Sequence, residues 1–194
     1  MSNPYLDEII VIRFDEQMLK EYSGFDKKNP DAYYKAHPRA KKDKQPFEKL
    51  WGKTRTGLIP SVNKFLNVNS RIIQSTWEDH LCKYCEFCMK RQGLKHDFIK
   101  ECVVISIQFK PTKAKSDVNN TYVKPFIDAM VHRELLQEDN YTVVRYHAEY
   151  AVVDSKDPHS EIRIYPITED YPFEIVMLQV VNDVIELENK YFKK

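Results

Sequence analysis

Glycine is scarce in this chain: there are four in 194 residues, and none beyond Gly93. Phosphate-cradling glycine loops and the G-x-S-x-G nucleophile elbow both need glycines at fixed offsets. Nucleotide-loop enzymes and α/β-hydrolases are therefore excluded, and no nucleotide cofactor is expected. Long apolar runs are missing as well, none exceeding four residues, as in Ile9 to Ile12. A membrane span needs about 18, so no membrane partner is expected. The opening MSNPYLDEII has neither a basic n-region nor an apolar stretch, so a secretory segment is not expected and a cytoplasmic location is. What is present suffices for a core, since 42% of the residues are hydrophobic and 12% aromatic. Such a composition argues against wholesale disorder.

The formal net charge of +1 conceals two opposed halves. Lys27 to Arg71 carries twelve Lys or Arg against three acids, whereas Glu134 to Glu188 carries thirteen acids against three bases. Each phosphate that a lysine or arginine meets releases a condensed counterion, so the first block suits a polyanion. Lys35, Arg39, Lys41, Lys42 and Lys44, with Tyr33, Tyr34, Phe47 and Trp51 interleaved, are its densest part, and Lys113 and Lys115 add a second group. A solvated insertion is the other reading of the same block.

Cys82, Cys85 and Cys88 form C-x-x-C-x-x-C, with His80 and His96 nearby and Cys102 beyond. Thiolates at such spacing hold zinc or an iron–sulfur cluster when the chain turns between them. Here Ile73, Trp77, Leu81, Tyr84, Cys85 and Cys88 recur at helical spacing from Asn69 to Gln92, and Gly93 stands where a helix stops. Thiols at i, i+3 and i+6 of a straight helix cannot all reach one tetrahedral ion. The cysteines are read as small hydrophobes of a core helix, in preference to a metal or redox centre.

The remaining pattern gives a strand at Glu8 to Phe14, an extended turn at Ile59 to Asn63, and a central strand at Glu101 to Phe109. It continues with a helix from Asn119 to Arg133, strands at Thr142 to Val153 and Ser160 to Ile167, and a last element from Pro172 to Tyr191. This order predicts mixed α/β, or α+β with the helices on one face: a small mixed sheet with helices packed on it. Residues 1–57 would form a strand plus basic insertion, 58–168 the core domain, and 169–194 a C-terminal helix. From Phe173 to Leu187 ten of fifteen residues are apolar, more than one covered helix face requires. A homodimer is expected there; a buried strand through Val181 is the competing reading.

The segment from Lys113 to Val144 carries the chemistry. Asp117 lies between strand and helix, where sheet enzymes present ligands, and a helix starting near it would aim Asp117, Lys124 and Asp128 to one side. Glu138-Asp139 then precedes a strand. Paired carboxylates beside a lysine suit a divalent ion and a phosphodiester, although Asp at a helix start is also a common cap and Lys124 with Asp128 an ordinary i, i+4 pair. Asp117-Val118-Asn119-Asn120, Lys124, Asp128-Ala129-Met130 and Glu138-Asp139 before Val143-Val144 resemble the signature of the RusA-type Holliday-junction resolvases. The upstream IPSVNKF also resembles that family. The resemblance covers roughly Gly57 to Ile167. It implies a RusA-like core and a homodimeric, Mg²⁺-dependent (or Mn²⁺-dependent) endodeoxyribonuclease that resolves four-way junctions in DNA recombination and repair.

In that reading Asp117, Asn119 and Asp139 hold the metal, and Asp117, Lys124 and Asp139 are catalytic. Asn120, Asp128 and Glu138 are further candidates, and the lysines and arginine named above meet branched DNA. Two departures bear on the chemistry. Asn119 stands where the family has Asp, a neutral amide in place of an anionic ligand. One extra residue lies between Asn120 and Lys124, worth about 100° of helix rotation. A relative that binds branched DNA without cutting it is therefore the second reading. An unrelated interaction protein with a cysteine-rich helix is the third.

Overall fold

The computed structural model describes residues 8–24, 35, 59–60, 71–94, 98–112 and 122–192. Ile10, Ile12 and Phe14 point inward along β1 (Ile10–Asp15) while Val11 points out, the alternation of a half-covered strand. Asp15 ends the strand and caps α1 (Glu16–Ser23), its carboxylate accepting the Met18 N–H at 2.9 Å. The long cysteine-bearing helix is α2 (Arg71–Arg91). It stops as the sequence implies. Gly93 takes φ +66°, its N–H bonds the Lys90 carbonyl and the Leu94 N–H reaches back to Met89, both at 3.1 Å.

The central strand β2 (Cys102–Lys110) leads to α3 (Lys124–His132) and then to β3 (Val144–Val153), which pairs parallel with β2. A bulge at the start of that pairing leaves Arg145 opposite no residue of β2, and its guanidinium bonds Glu101 at 2.7 Å. β4 (His159–Pro166) inserts between β1 and β2, antiparallel to both, so the order is β1-β4-β2-β3. Ile10 thereby pairs with Ile164. The chain closes with α4 (Phe173–Tyr191), a helix and not a strand.

The fold is mixed α/β, as predicted, but the helices are not confined to one face. Ile10, Ile12, Phe14, Cys102, Val104, Ile162 and Ile164 share a core with Leu81, Tyr84, Cys85, Phe126 and Met130 of α2 and α3. On the reverse face Val103, Ile105, Ile107, Phe109, Val152 and Tyr165 pack under Val176, Val180 and Leu187 of α4. A central strand buried on both faces has no polar side to show, which is why CVVISI at the start of β2 is buried throughout. Phe14 anchors the first core, edge-on to Phe126 at 5.0 Å and tilted against Tyr84 at 5.8 Å. Among the described residues no helix is long and apolar enough to cross a membrane.

The start of α3 is a second correction. A helix running from Asn119 would place Pro125 in its interior, deleting a backbone hydrogen bond and clashing with the preceding turn. Tyr122 and Val123 instead lie ahead of the helix, which begins at Lys124 with Pro125 in its first turn. Two of the three residues between Asn120 and Lys124 thus precede α3 and add nothing to its length.

Candidate functional site

Pro125, Phe126, Ala129 and Met130 bury one side of α3 against α2 and the sheet. The opposite stripe, at i, i+4 and i+8, is Lys124, Asp128 and His132. Tyr122 secures the entry to the helix. Its N–H donates to the Pro60 carbonyl at 2.9 Å, and its hydroxyl donates to Glu78 of α2. Pro60 follows Ile59, whose N–H meets Ser160 Oγ at 3.1 Å and whose carbonyl accepts from Gln108 at 3.2 Å. The start of IPSVNKF is thus tied to the sheet and to the approach of α3. Ser61 to Asn63 lie outside the described residues.

Beyond α3 the chain turns through Glu134, at φ +57°, and the Leu135 N–H returns to the Met130 carbonyl at 2.9 Å. Asn140 then organises the loop before β3. Its side-chain oxygen accepts from the Thr142 N–H (2.9 Å) and hydroxyl (2.6 Å), and its carbonyl accepts from Val143 and Val144. Its amide donates to Glu138, which is thereby turned to the loop. Asp139 faces α3 instead.

Lys124 gathers the predicted cluster. Its Nζ bonds both carboxylate oxygens of Asp128 at 3.0 Å and lies 3.6 Å from Oδ2 of Asp139. The Asp128 hydrogen bonds hold the ammonium above its ordinary range; partial burial opposes them and Asp139 adds to them. The Lys124 ammonium thus bridges two carboxylates eleven positions apart. All three side chains reach solvent.

Asp117, Asn119, Asn120, Lys113 and Lys115 lie outside the described residues, as do Arg39, Lys41, Lys42 and Lys44 of the basic block. Lys35 is exposed. Of the cysteines, Cys85 and Cys88 are fully buried, and burial pushes both thiols well up. Among the described residues the three thiols do not gather within ligand distance of one another. Cys85 and Cys88 pack as read from helical spacing. His96 is also outside the described residues.

A cleft of about 700 Å³ opens elsewhere, lined among others by Glu101, Arg145 and Phe173, with the Arg145 guanidinium 5.9 Å above the Phe173 ring. None of the candidate site residues lines it, and chemistry rather than volume identifies the site. His132, which pairs with Glu86, and Tyr122, which pairs with Glu78, join α3 and its approach to α2 without having been singled out in the sequence. The i, i+4 repetition of Lys124, Asp128 and His132 was the available signal. No protein-family model matches the chain, and a search of curated proteins gave no match either.

Proposed function

We propose that the protein is a Mg²⁺-dependent endodeoxyribonuclease of the RusA type, acting on four-way DNA junctions as a homodimer. The observation that carries this is the convergence of Lys124, Asp128 and Asp139 from a helix and a separate loop, the residues on which the second half of the motif depends. Asp139 and Asp128 offer oxygen donors only, the set that suits Mg²⁺, and Asp117 and Asn119 are the further ligands that the motif supplies. Bound there, Mg²⁺ would supply positive charge at the scissile phosphate and lower the pKa of water. Lys124, held charged, stabilises the phosphate oxygens as negative charge develops. Asp128 orients that ammonium.

The test is incubation of the full chain with a synthetic four-way junction and Mg²⁺ or Mn²⁺. Paired nicks of like polarity are expected, and Asp117→Asn should abolish them. Tight junction binding without nicks, unrestored by Asn119→Asp, would favour the branched-DNA binder. Failure to prefer a junction over duplex DNA would overturn both readings.

Dimerisation has its own support. In α4 the buried side is Val176, Val180, Asp183 and Leu187, while Ile175, Leu178, Val181 and Ile185 form a solvent-facing stripe of which Leu178 is 61% exposed. A two-fold partner covers such a stripe with itself and sets two active sites on one junction. Sedimentation of the wild type should give a dimer, and Leu178→Glu with Ile185→Glu a folded monomer. A wild-type monomer at micromolar concentration would overturn the dimer.

A further inference from the structure

One turn along the α2–α3 seam from the Lys124 cluster, three chemically different donors meet. Cys82 Sγ lies 3.3 Å from His132 Nδ1 and 3.6 Å from Glu86 Oε1, and the imidazole nitrogen and carboxylate oxygen are 3.7 Å apart. Cys82 and Glu86 are successive residues of one α2 stripe, at i and i+4, and His132 is the last residue of α3. The seam is set by close packing beneath it, where the Cys85 thiol donates to the Phe126 carbonyl at 3.7 Å.

Zinc binds thiolate sulfur at about 2.3 Å and imidazole nitrogen or carboxylate oxygen at roughly 2.0–2.2 Å. A tetrahedron with those arms has edges of roughly 3.3–3.6 Å. The three observed separations are therefore close to the edges of one tetrahedral face. We propose that Cys82, Glu86 and His132 form a binding site for a thiophilic transition-metal ion of the Zn²⁺ class, with the fourth position open to solvent. The proposal does not rest on the nuclease reading, whose Mg²⁺ ligands are all oxygen.

Exposure fits the assignment. Cys82 is buried, whereas the His132 side chain is 63% exposed and that of Glu86 35%, so the site opens outward. Charge fits it too. Besides burial, the carboxylates of Glu86, Asp128 and Asp79 hold the Cys82 thiol in its protonated form, and the same negative surroundings attract a cation. On binding, the S–H bond breaks as the S–metal bond forms, and the proton leaves to the buffer.

Co²⁺ titration of the full-length, reduced protein tests the site directly. One equivalent should produce tetrahedral d–d bands together with a thiolate-to-cobalt charge-transfer band; Zn²⁺ should displace it and excess Mg²⁺ should not. Cys82→Ser should remove the charge-transfer band, Cys102→Ser should leave it, and His132→Ala, at an exposed position, should weaken binding by roughly tenfold or more. Absence of a thiolate band in the wild type would overturn the proposal. So would its persistence in Cys82→Ser, or unchanged affinity in His132→Ala.

Discussion

Lys124→Ala is expected to slow the proposed junction cleavage by about 10²- to 10³-fold, the loss typical of removing one fixed donor to a developing anion. Folding should scarcely change. The lysine side chain is 62% exposed, and exposed ion pairs are worth about 0–1 kcal/mol. The variant leaves Asp128 and Asp139 side by side without their shared cation, so its Mg²⁺ requirement should be satisfied at lower concentration while turnover falls. Lys124→Arg keeps the charge but not its place between the two carboxylates, and should recover only part of the rate. Single-turnover cleavage at saturating protein separates this from weaker DNA binding. A rate within a few-fold of wild type would reduce Lys124 to an ordinary i, i+4 brace.

Arg163→Met should destabilise the fold by about 3–5 kcal/mol, the penalty for breaking a largely buried ion pair from one side. His159, Glu161, Arg163 and Tyr165 alternate along β4 and all face α4. His159 stacks on Phe109 at 4.0 Å, and its Nε2 lies 3.2 Å from Glu161. Glu161 pairs with Arg163 at 2.8 Å, Arg163 lies 3.7 Å from Asp183, and Asp183 accepts from Tyr165 and Gln179 at 2.6 Å each. Burial alone would raise the Glu161 carboxyl, but the His159 hydrogen bond and the Arg163 charge outweigh it and hold it below its ordinary value of 4.5. A depressed carboxyl means that the unfolded chain binds more protons. Its stabilisation is complete above the ordinary value and is lost as pH falls through the folded one. Urea unfolding should therefore show the Arg163→Met deficit in full at neutral pH and a shrinking difference from wild type below about pH 4.5. Equal deficits at both ends of that range would show that packing, not charge, is what Arg163 provides.

That network also shows where sequence reasoning stops. In HSEIRIYP the polar residues alternate with Ser160, Ile162 and Ile164, a pattern that reads as one wet face and one dry. The wet face is instead covered by α4, and its members satisfy one another. Nothing local announces a layer contributed by residues twenty positions later. The unbroken apolar start of β2, by contrast, carried the signal for helices on both faces, and Pro125 carried that for the late start of α3. The strands, the C-terminal stop of α2 and the helical spacing of its cysteines follow from periodicity and stop residues, which act over a few positions. At the site, the motif anticipated Lys124 with Asp139. The meeting of Cys82 with His132 depends on how two helices pack, and only the i, i+4 stripe on α3 hinted at it.

The pairing of β1 with β4 constrains how the protein is made. Among the described residues β1 pairs with β4 alone, residue 10 lying opposite residue 164, so Ile10, Ile12 and Phe14 leave the ribosome long before that strand exists. Until then the growing chain carries an unpaired apolar β segment, the kind of surface that chaperones hold and that aggregates when they do not. Contacts so distant along the chain also slow the search for the native state. Sheet closure therefore waits until β4 has been made, and a chain interrupted before His159 would lack the strand that separates β1 from β2.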